Sequence, residues 1–338
     1  MFLFEFIENK YFTLLFSVLL INIMILYFKQ NISKYFKIID YPDDPRKIHK
    51  KETPLIGGIC FYTFLIPSLL FYFEGNILTR QFYIIFILLS IFFFTGLIDD
   101  IKPLKPKIRA IIIIVSLLIL LPFEQNLLIK KLYFVSTSRE LELGYFSIVF
   151  TTFCIFALYN AINFADGVNG SVISISIFWL AILFIKNPNL IYLNMIIIML
   201  ILFVFNIRGK LFLGNSGTSL ISIFFSLFII SDYNSLDVIF ADEIIFLLFF
   251  PGMDMIRVTI ERILKKRKIY NADKSHFHHY LFISNIKVIW LVVLLLSISP
   301  YLIFLASNKI IITLIISTSA YFILLLLLKK CSNTNSIK

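Results

Sequence analysis

Residues 81–100 read QFYIIFILLSIFFFTGLIDD, eighteen residues without a charge that stop at the adjacent carboxylates Asp99 and Asp100. As a helix, such a run reaches roughly 27 Å, close to the hydrocarbon thickness of a bilayer. Its unbroken apolarity fits neither an amphipathic surface helix nor an alternating strand. Comparable runs recur along the chain. Of 338 residues 59% are hydrophobic and 15% charged, 39 are phenylalanine, and the mean hydropathy is +0.93. Soluble domains carry about 45–50% apolar and about 25% charged residues, so a soluble globular fold is excluded.

Backbone amides cannot stay unpaired in hydrocarbon, so each run is predicted to form a helix. The expected fold is all-α and polytopic, with eleven transmembrane helices centred on residues 11–28, 55–73, 81–98, 108–123, 145–162, 171–186, 189–205, 217–231, 240–258, 287–306 and 309–328. The first run follows acidic Glu5 and Glu8, lacks a basic flank and a small-residue cleavage site, and is read as a retained helix rather than a signal peptide. No repeat or long linker divides the chain, which predicts one integral membrane domain over 1–338. Cys60, Cys154 and Cys331 are odd in number and widely spaced, which excludes a disulfide scaffold.

The net charge of +11 would suggest nucleic acid in a soluble protein, but here the placement of the charges decides. Assigning each Lys and Arg to alternate loops leaves seven on one side (Lys10, Arg80, Lys130, Lys131, Arg139, Lys186 and Lys309) and the rest of the 31 on the other. The positive-inside rule then predicts an outer N-terminus and a cytoplasmic C-terminus, with the lipid bilayer, not nucleic acid, as the charged partner.

Five loops, residues 40–58, 99–109, 160–170, 206–218 and 257–285, fall on the predicted cytoplasmic face and hold nearly all the chemistry-bearing residues. Arg46, Lys47 and His49 suit phosphate oxygens, or else a headgroup layer, and the Gly57-Gly58 pair suits close helix packing. Asp99 and Asp100 at the membrane edge are costly unless paired, hydrated or bound to a cation, and Lys107 and Arg109 follow them. Asn160, Asn163 and Asp166 recur every three residues on one helical face, ahead of Gly167, Asn169 and Gly170. Arg208 opens a loop that closes in Gly214-Asn215-Ser216-Gly217, a turn leading into a helix and suited to an anion. His276, His278 and His279 are three of the four histidines, and without a closing Cys or carboxylate they point to phosphate or proton handling rather than zinc.

In this order, Arg46-Lys47-x-His49 with Thr53-Pro54-x-x-Gly57-Gly58, Asp99-Asp100 with Lys107-x-Arg109, Asn160-x-x-Asn163-x-x-Asp166-Gly167, Phe-Leu-Gly-x-x-Gly and His276-Phe277-His278-His279, the motifs resemble those of the polyprenyl-phosphate N-acetylhexosamine-1-phosphate transferases. The His-Phe-His-His form resembles the bacterial branch that starts O-antigen, enterobacterial common antigen or teichoic acid linkage units. The resemblance implies a multi-pass enzyme of the bacterial inner membrane. It would transfer a sugar 1-phosphate from a UDP-N-acetylhexosamine to undecaprenyl phosphate and release UMP, with Mg2+ (or Mn2+) as cofactor. It also implies roles: Asp99, Asp100, His276, His278 and His279 as catalytic; Arg46, Lys47, His49, Lys107, Arg109, Asn163, Asn169 and Arg208 as substrate-binding; Asn160, Asp166 and Asn215 as metal ligands. A homo-oligomer is compatible with the sequence.

Two positions depart from the family pattern. Asn169 and Asn215 stand where the bacterial motifs carry Asp, and Asn215 removes a charge from the expected metal shell. This keeps a second expectation open, a catalytically impaired relative that binds polyprenyl phosphate. A transporter or flippase is the third, and Asp254, beside Pro251-Gly252, is its one pointer as a charge well inside a predicted span.

Overall fold

A computed structural model describes residues 2–42, 51–73, 79–235, 238–268, 275–284 and 286–335, with side chains described from residue 13 to 331. Arg46, Lys47 and His49 lie outside the described residues. The chain opens with α1 (Phe2–Tyr27) and α2 (Lys29–Phe36), which meet at a 74° bend, and a short ribbon of β1 (Ile39–Asp40) and β2 (Thr53–Pro54). Then come α3 (Gly57–Tyr72), α4 (Arg80–Ile101), α5 (Pro106–Leu120), an antiparallel hairpin of β3 (Lys131–Phe134) and β4 (Arg139–Glu142), and α6 (Ser147–Ala165). The rest comprises α7 (Ser171–Lys186), α8 (Leu190–Asn206), α9 (Gly214–Ser235), α10 (Ala241–Leu247), α11 (Phe249–Leu264), α12 (Phe277–Ile283), α13 (Ile289–Ser307) and α14 (Ile310–Asn335).

The chain is a mostly helical, multi-pass membrane protein. Each of the eleven predicted segments is helical, but they are not equal. Among the described residues six helices are long and apolar enough to cross a bilayer alone: α4, α5, α6, α9, α13 and α14; the bent α1–α2 pair makes a seventh. Helices α3, α7 and α8 are apolar but only 16–17 residues long. The segment expected over 240–258 is broken at Leu248 into α10 and α11, with Pro251 in the first turn of α11, where its missing N–H leaves no orphaned acceptor.

The all-α expectation misses the hairpin. Its strands pair Lys131 with Glu142 and Phe134 with Arg139, and Ser138, at φ 49°, turns the chain between them. Helix α9 positions everything else. Every residue from Ser216 to Asp232 is buried, and α3, α4 and α6 pack around it. Its small hydroxyl residues allow close approach in a setting where lipid supplies no hydrophobic drive between helices. Their hydroxyls turn back onto the helix, as with Ser222 Oγ on Ser219 O (2.7 Å) and Ser226 Oγ on Ser222 O (2.8 Å).

The Thr53–Gly58 segment is structural. Its backbone runs beside the strand-like entry to α9: Gly57 N donates to Phe212 O, Gly58 N to Leu213 O (both 3.0 Å), and Phe212 N to Pro54 O (2.9 Å). A Cβ on Gly58 would lie 2.5 Å from Ser216 Oγ and 2.8 Å from Ser216 C, and one on Gly96 of α4 would lie 2.6 Å from the Asn215 carbonyl carbon. Helices α3 and α4 therefore press bare backbone against the first turn of α9. Gly58→Ala and Gly96→Ala are expected to cost about 1–3 kcal/mol each by overpacking. Thermal unfolding of the detergent-solubilised variants checks this, and unchanged melting would show that the contact is loose.

Candidate active site

Asp99 and Asp100 sit in the last turn of α4 and point to different partners, because adjacent helical residues are about 100° apart. Asp99 is buried; it accepts from Leu104 N and from Arg109 Nη1, both at 2.6 Å, and so folds the Lys102–Lys105 turn and holds Arg109 of α5 in place. Asp100 caps the start of α9: Oδ1 accepts from Asn215 N (2.7 Å), and Oδ2 accepts from Ser216 N (3.0 Å) and Ser216 Oγ (2.7 Å). A carboxylate there meets both the orphaned amides and the positive end of the helix dipole. Gly214, at φ +73°, makes the turn, and a Cβ on it would lie 2.6 Å from Asp100 Oδ2.

The end of α6 meets the same turn. Asn163 Nδ2 donates to Asn215 Oδ1 at 3.3 Å, and Asn160 Nδ2 donates to Phe156 O (2.7 Å) one turn back along α6. Asp166 ends α6 close enough to Asp100 for the Asp100 charge to oppose its ionisation. Burial, with the Asp100 charge second, pushes the Asp166 carboxyl up to about 8. The turn that follows hangs on Asn206 at the end of α8: its Oδ1 accepts from Gly170 N (2.6 Å) and its Nδ2 donates to Leu211 O (3.0 Å). One buried amide thus ties the 166–170 turn to the 207–213 turn, on which Arg208 is exposed. Asn169 lies beside Gly209, its Nδ2 3.5 Å from where a Cβ there would stand.

The histidines close the site from α12. His278 is buried against Gly167, the residue after Asp166, and its Nε2 has no partner. Burial, then the neighbouring His279 and His276, push its imidazole well below the usual range, so it is neutral at pH 7. His276 Nδ1 bonds Asp254 Oδ2 (2.9 Å), and Asp254 Oδ1 accepts from Arg257 Nη2 (2.7 Å), Tyr321 Oη (2.6 Å) and Phe277 N (3.2 Å). Arg257 also donates to Ser275 O (2.6 Å). Asp254 is therefore the hub that binds α11, α12 and α14, not a charge lining a transport path. The rings of His276 and His278 stack parallel at 5.7 Å, and Phe164 lies between His276 (5.0 Å) and the guanidinium of Arg262 (5.3 Å).

Asp100, Asp166, Asn163, Asn215 and His278 are thus brought together from four helices, with Asp99 and Arg109 as their support. Lys107 is exposed on the first turn of α5. Sequence reasoning passed over Asn206, Ser216, Arg257 and Tyr321. Asn206 had a signal, a lone amide ending an apolar run, and Tyr321 had none. Among the described residues no three His, Cys, Asp or Glu side chains gather as a metal cage. The donors present, the Asp166 carboxylate with the amide oxygens of Asn160 and Asn215, are hard oxygens. They fit a cation such as Mg2+ that takes one or two carboxylates and completes its shell with water and phosphate.

An apolar groove of 550 Å³ begins beside this cluster. It runs between α6, α9, α10, α11 and α14, from Ala161 near the site to Leu132 and Phe134 of the hairpin. Its lips include Phe153 and Ile256, both exposed on the apolar outer surface. Ala161 also lines a small crevice with Asp254 and His278, so groove and site adjoin.

Residues 82–232, from α4 through α9 and including Asp99, Asp100, Asp166 and Asn215, match the family model for glycosyl transferase family 4. Over that segment the chain is similar to this family. It is 28% identical over 289 residues to the undecaprenyl-phosphate alpha-N-acetylglucosaminyl 1-phosphate transferase of Escherichia coli O157:H7, covering 78% of this chain and 74% of the relative. It is 25% identical over 288 residues to the protein of the same name in Salmonella typhi, with the same coverage. A shorter match, 29% over 147 residues, covers 40% of this chain and 45% of the phospho-N-acetylmuramoyl-pentapeptide-transferase of Listeria monocytogenes. The match takes in the α4, α6 and α9 ends described above within a single segment.

The raised Asp166 carboxyl has a measurable consequence. The folded chain keeps that proton up to about 8 whereas the unfolded chain releases it near the ordinary carboxyl value of 3.8, so this group's contribution to stability falls as pH rises through that window and levels off above it. Melting curves of cation-free protein across that range are expected to flatten in Asp166→Asn; an equal slope in both proteins would contradict the assignment. Arg257→Met, which leaves Asp254 buried without its guanidinium partner, is expected to cost about 3–5 kcal/mol, as read by denaturant or thermal unfolding.

Proposed function

We propose that this chain transfers an N-acetylhexosamine 1-phosphate from a uridine diphosphate sugar to undecaprenyl phosphate, releasing UMP, in the bacterial cytoplasmic membrane, as the first step of a surface glycan such as O-antigen. The reading rests on one juxtaposition above all: an apolar groove open to the lipid side ends at Ala161, one residue from Asn160 and beside the Asp166–His278 cluster. An acceptor with a long isoprenoid tail and an anionic head fits that pairing. The Escherichia coli and Salmonella typhi relatives carry undecaprenyl phosphate in their names, which supports the same acceptor.

An oxygen of the lipid phosphate attacks the sugar-bearing phosphorus of the donor, and the bond from that phosphorus to the oxygen of the nucleoside phosphate breaks. One phosphoanhydride replaces another, and the acceptor needs no deprotonation beyond its ordinary ionisation. The obstacle is the meeting of two anions. Asp166, with the amide oxygens of Asn160 and Asn215, would hold Mg2+ (or Mn2+), which supplies neutralisation of the diphosphate charge. Lys107 and Arg208 add positive charge at the rim, and Arg46, Lys47 and His49 are assigned the same work from sequence. Asp99 positions Arg109, and Asp100 keeps the α9 turn closed so that Asn215 and Asn163 present their amides together. His278, neutral and with Nε2 unpartnered against Gly167, would offer one hydrogen bond to the transferring group, and the Asp254 hub holds His276 beside it.

One observation favours a second reading, an impaired relative that binds the lipid without turning it over. Asn215 stands at the expected metal carboxylate, and its oxygen already accepts from Asn163. Purified protein incubated with a panel of UDP-sugars, undecaprenyl phosphate and Mg2+ separates the two. The expected product is undecaprenyl diphospho-N-acetylhexosamine, identified by mass with equimolar UMP, and about 100-fold or more is lost in Asp166→Asn. No lipid product from any donor sinks the enzyme reading, and product from Asn215→Asp alone establishes the impaired one.

A further inference from the structure

The groove does not simply fade out at the end away from the site. Leu132 and Phe134 of the β3–β4 hairpin, with Ile129 just before it, close that end as a ceiling. The hairpin is fastened there by bonds to its backbone. Ile129 N donates to Thr151 Oγ1 (2.9 Å), Tyr233 Oη accepts from Tyr133 N and donates to Lys131 O (both 2.8 Å), and Ser136 N donates to Asp242 Oδ2 (2.9 Å). Asn234 Nδ2 adds bonds to Asn126 O (2.8 Å) and Leu128 O (2.9 Å). Clamps from α6, α9 and α10 thus hold an otherwise isolated two-stranded ribbon, marginal by itself, over the mouth of an apolar channel.

We propose that the hairpin is an acceptor-length determinant: Leu132 and Phe134 contact the distal isoprene units of a long polyprenyl phosphate and give it preference over short ones. The proposal rests on the lipid-acceptor reading above and adds a specificity element remote from the chemistry. From Asp166 to Thr151, the α6 residue that fastens Ile129 just ahead of the hairpin, is fifteen residues, about 22 Å of helix rise. Farnesyl phosphate, with three isoprene units, falls short of the ceiling when its phosphate lies at Asp166, whereas undecaprenyl phosphate reaches it. Met253 and Met255 along the wall supply adaptable apolar contact for an irregular chain.

The test compares KM for undecaprenyl phosphate and farnesyl phosphate in the wild-type chain and in Leu132→Ala/Phe134→Ala. The expected result is a preference for the long acceptor that falls about tenfold in the variant, with kinetics on farnesyl phosphate unchanged; each lost apolar contact is of a size that shifts affinity by that order. An unchanged preference overturns the proposal, and so does an equal loss on both acceptors, which would mark the hairpin as a general structural support. Tyr233→Phe, which keeps the ring in the groove and removes both backbone bonds, is expected to lower the preference in the same direction.

A second readout needs no turnover. Cys154 lines the groove, Cys60 is fully buried, and Cys331 can be replaced by Ser. In Cys331→Ser, undecaprenyl phosphate is expected to protect Cys154 from a membrane-permeant maleimide at concentrations where farnesyl phosphate does not, and Leu132→Ala/Phe134→Ala is expected to weaken that protection about tenfold. Protection that survives the double substitution overturns the length-determining role. Protection without any transfer leaves the ceiling standing while the enzymatic reading fails.

Discussion

The grip of the Asp100 carboxylate on the first amides of α9 is the interaction on which the rest is hung. It joins the end of one membrane helix to the beginning of another at the membrane edge, where a charge is costly unless satisfied. Three donors from Asn215 and Ser216 satisfy it, and the glycines of α3 and α4 let two further backbones close on the same turn. The turn then carries Asn215 to Asn163, and α6 carries Asp166 back toward Asp100. The result is a site in which two carboxylates stand close with one of them, Asp100, internally satisfied and the other, Asp166, pushed toward its protonated form by burial and by that neighbour.

Around that turn the molecule divides its polar groups between two kinds of work. Asp99, Asp100, Asn206 and Asp254 spend their hydrogen bonds inside the protein, closing loops or tying helices. Lys107 and Arg208 stay exposed, and Nε2 of His278 is left without a partner. The division follows burial and geometry rather than residue type: Asp100 and Asp166 are the same side chain, but only one of them lies over the open amides of a helix start. The same logic assigns Asp254. A charge in an apolar segment reads as a path through the membrane, and the partners that cancel it, Arg257, His276 and Tyr321, come from as far as 67 residues away.

The apolar surface is divided in a similar way. Most of it faces lipid, but a groove lined by α10 and α11, on either side of the break at Leu248, runs along α6, and the hairpin covers it at one end. An elongated apolar channel leading to a polar cluster is an arrangement for a molecule that is itself apolar along its length and charged at its tip. Hairpin, break and polar cluster are therefore parts of one device, assembled from segments spread between Asp99 and His278.

What the sequence by itself determined is the class of environment and the positions of the helices, because an apolar run long enough to span hydrocarbon has no other way to satisfy its backbone. It also marked the motif residues Asp99, Asp100, Asn160, Asn163, Asp166, Asn215 and the histidines, since charged and amide groups at the ends of such runs stand out against a background of Ile, Leu and Phe. It left the hairpin unread, because eight residues of weak alternation carry little periodic signal, and it gave no hint of Tyr321, one aromatic among many. Only the tertiary structure decided which carboxylate holds a helix and which remains open, where the chain breaks at Leu248, and that the groove meets the site at Ala161. Those are questions of which surfaces touch, and touching depends on distances between segments that no local pattern encodes.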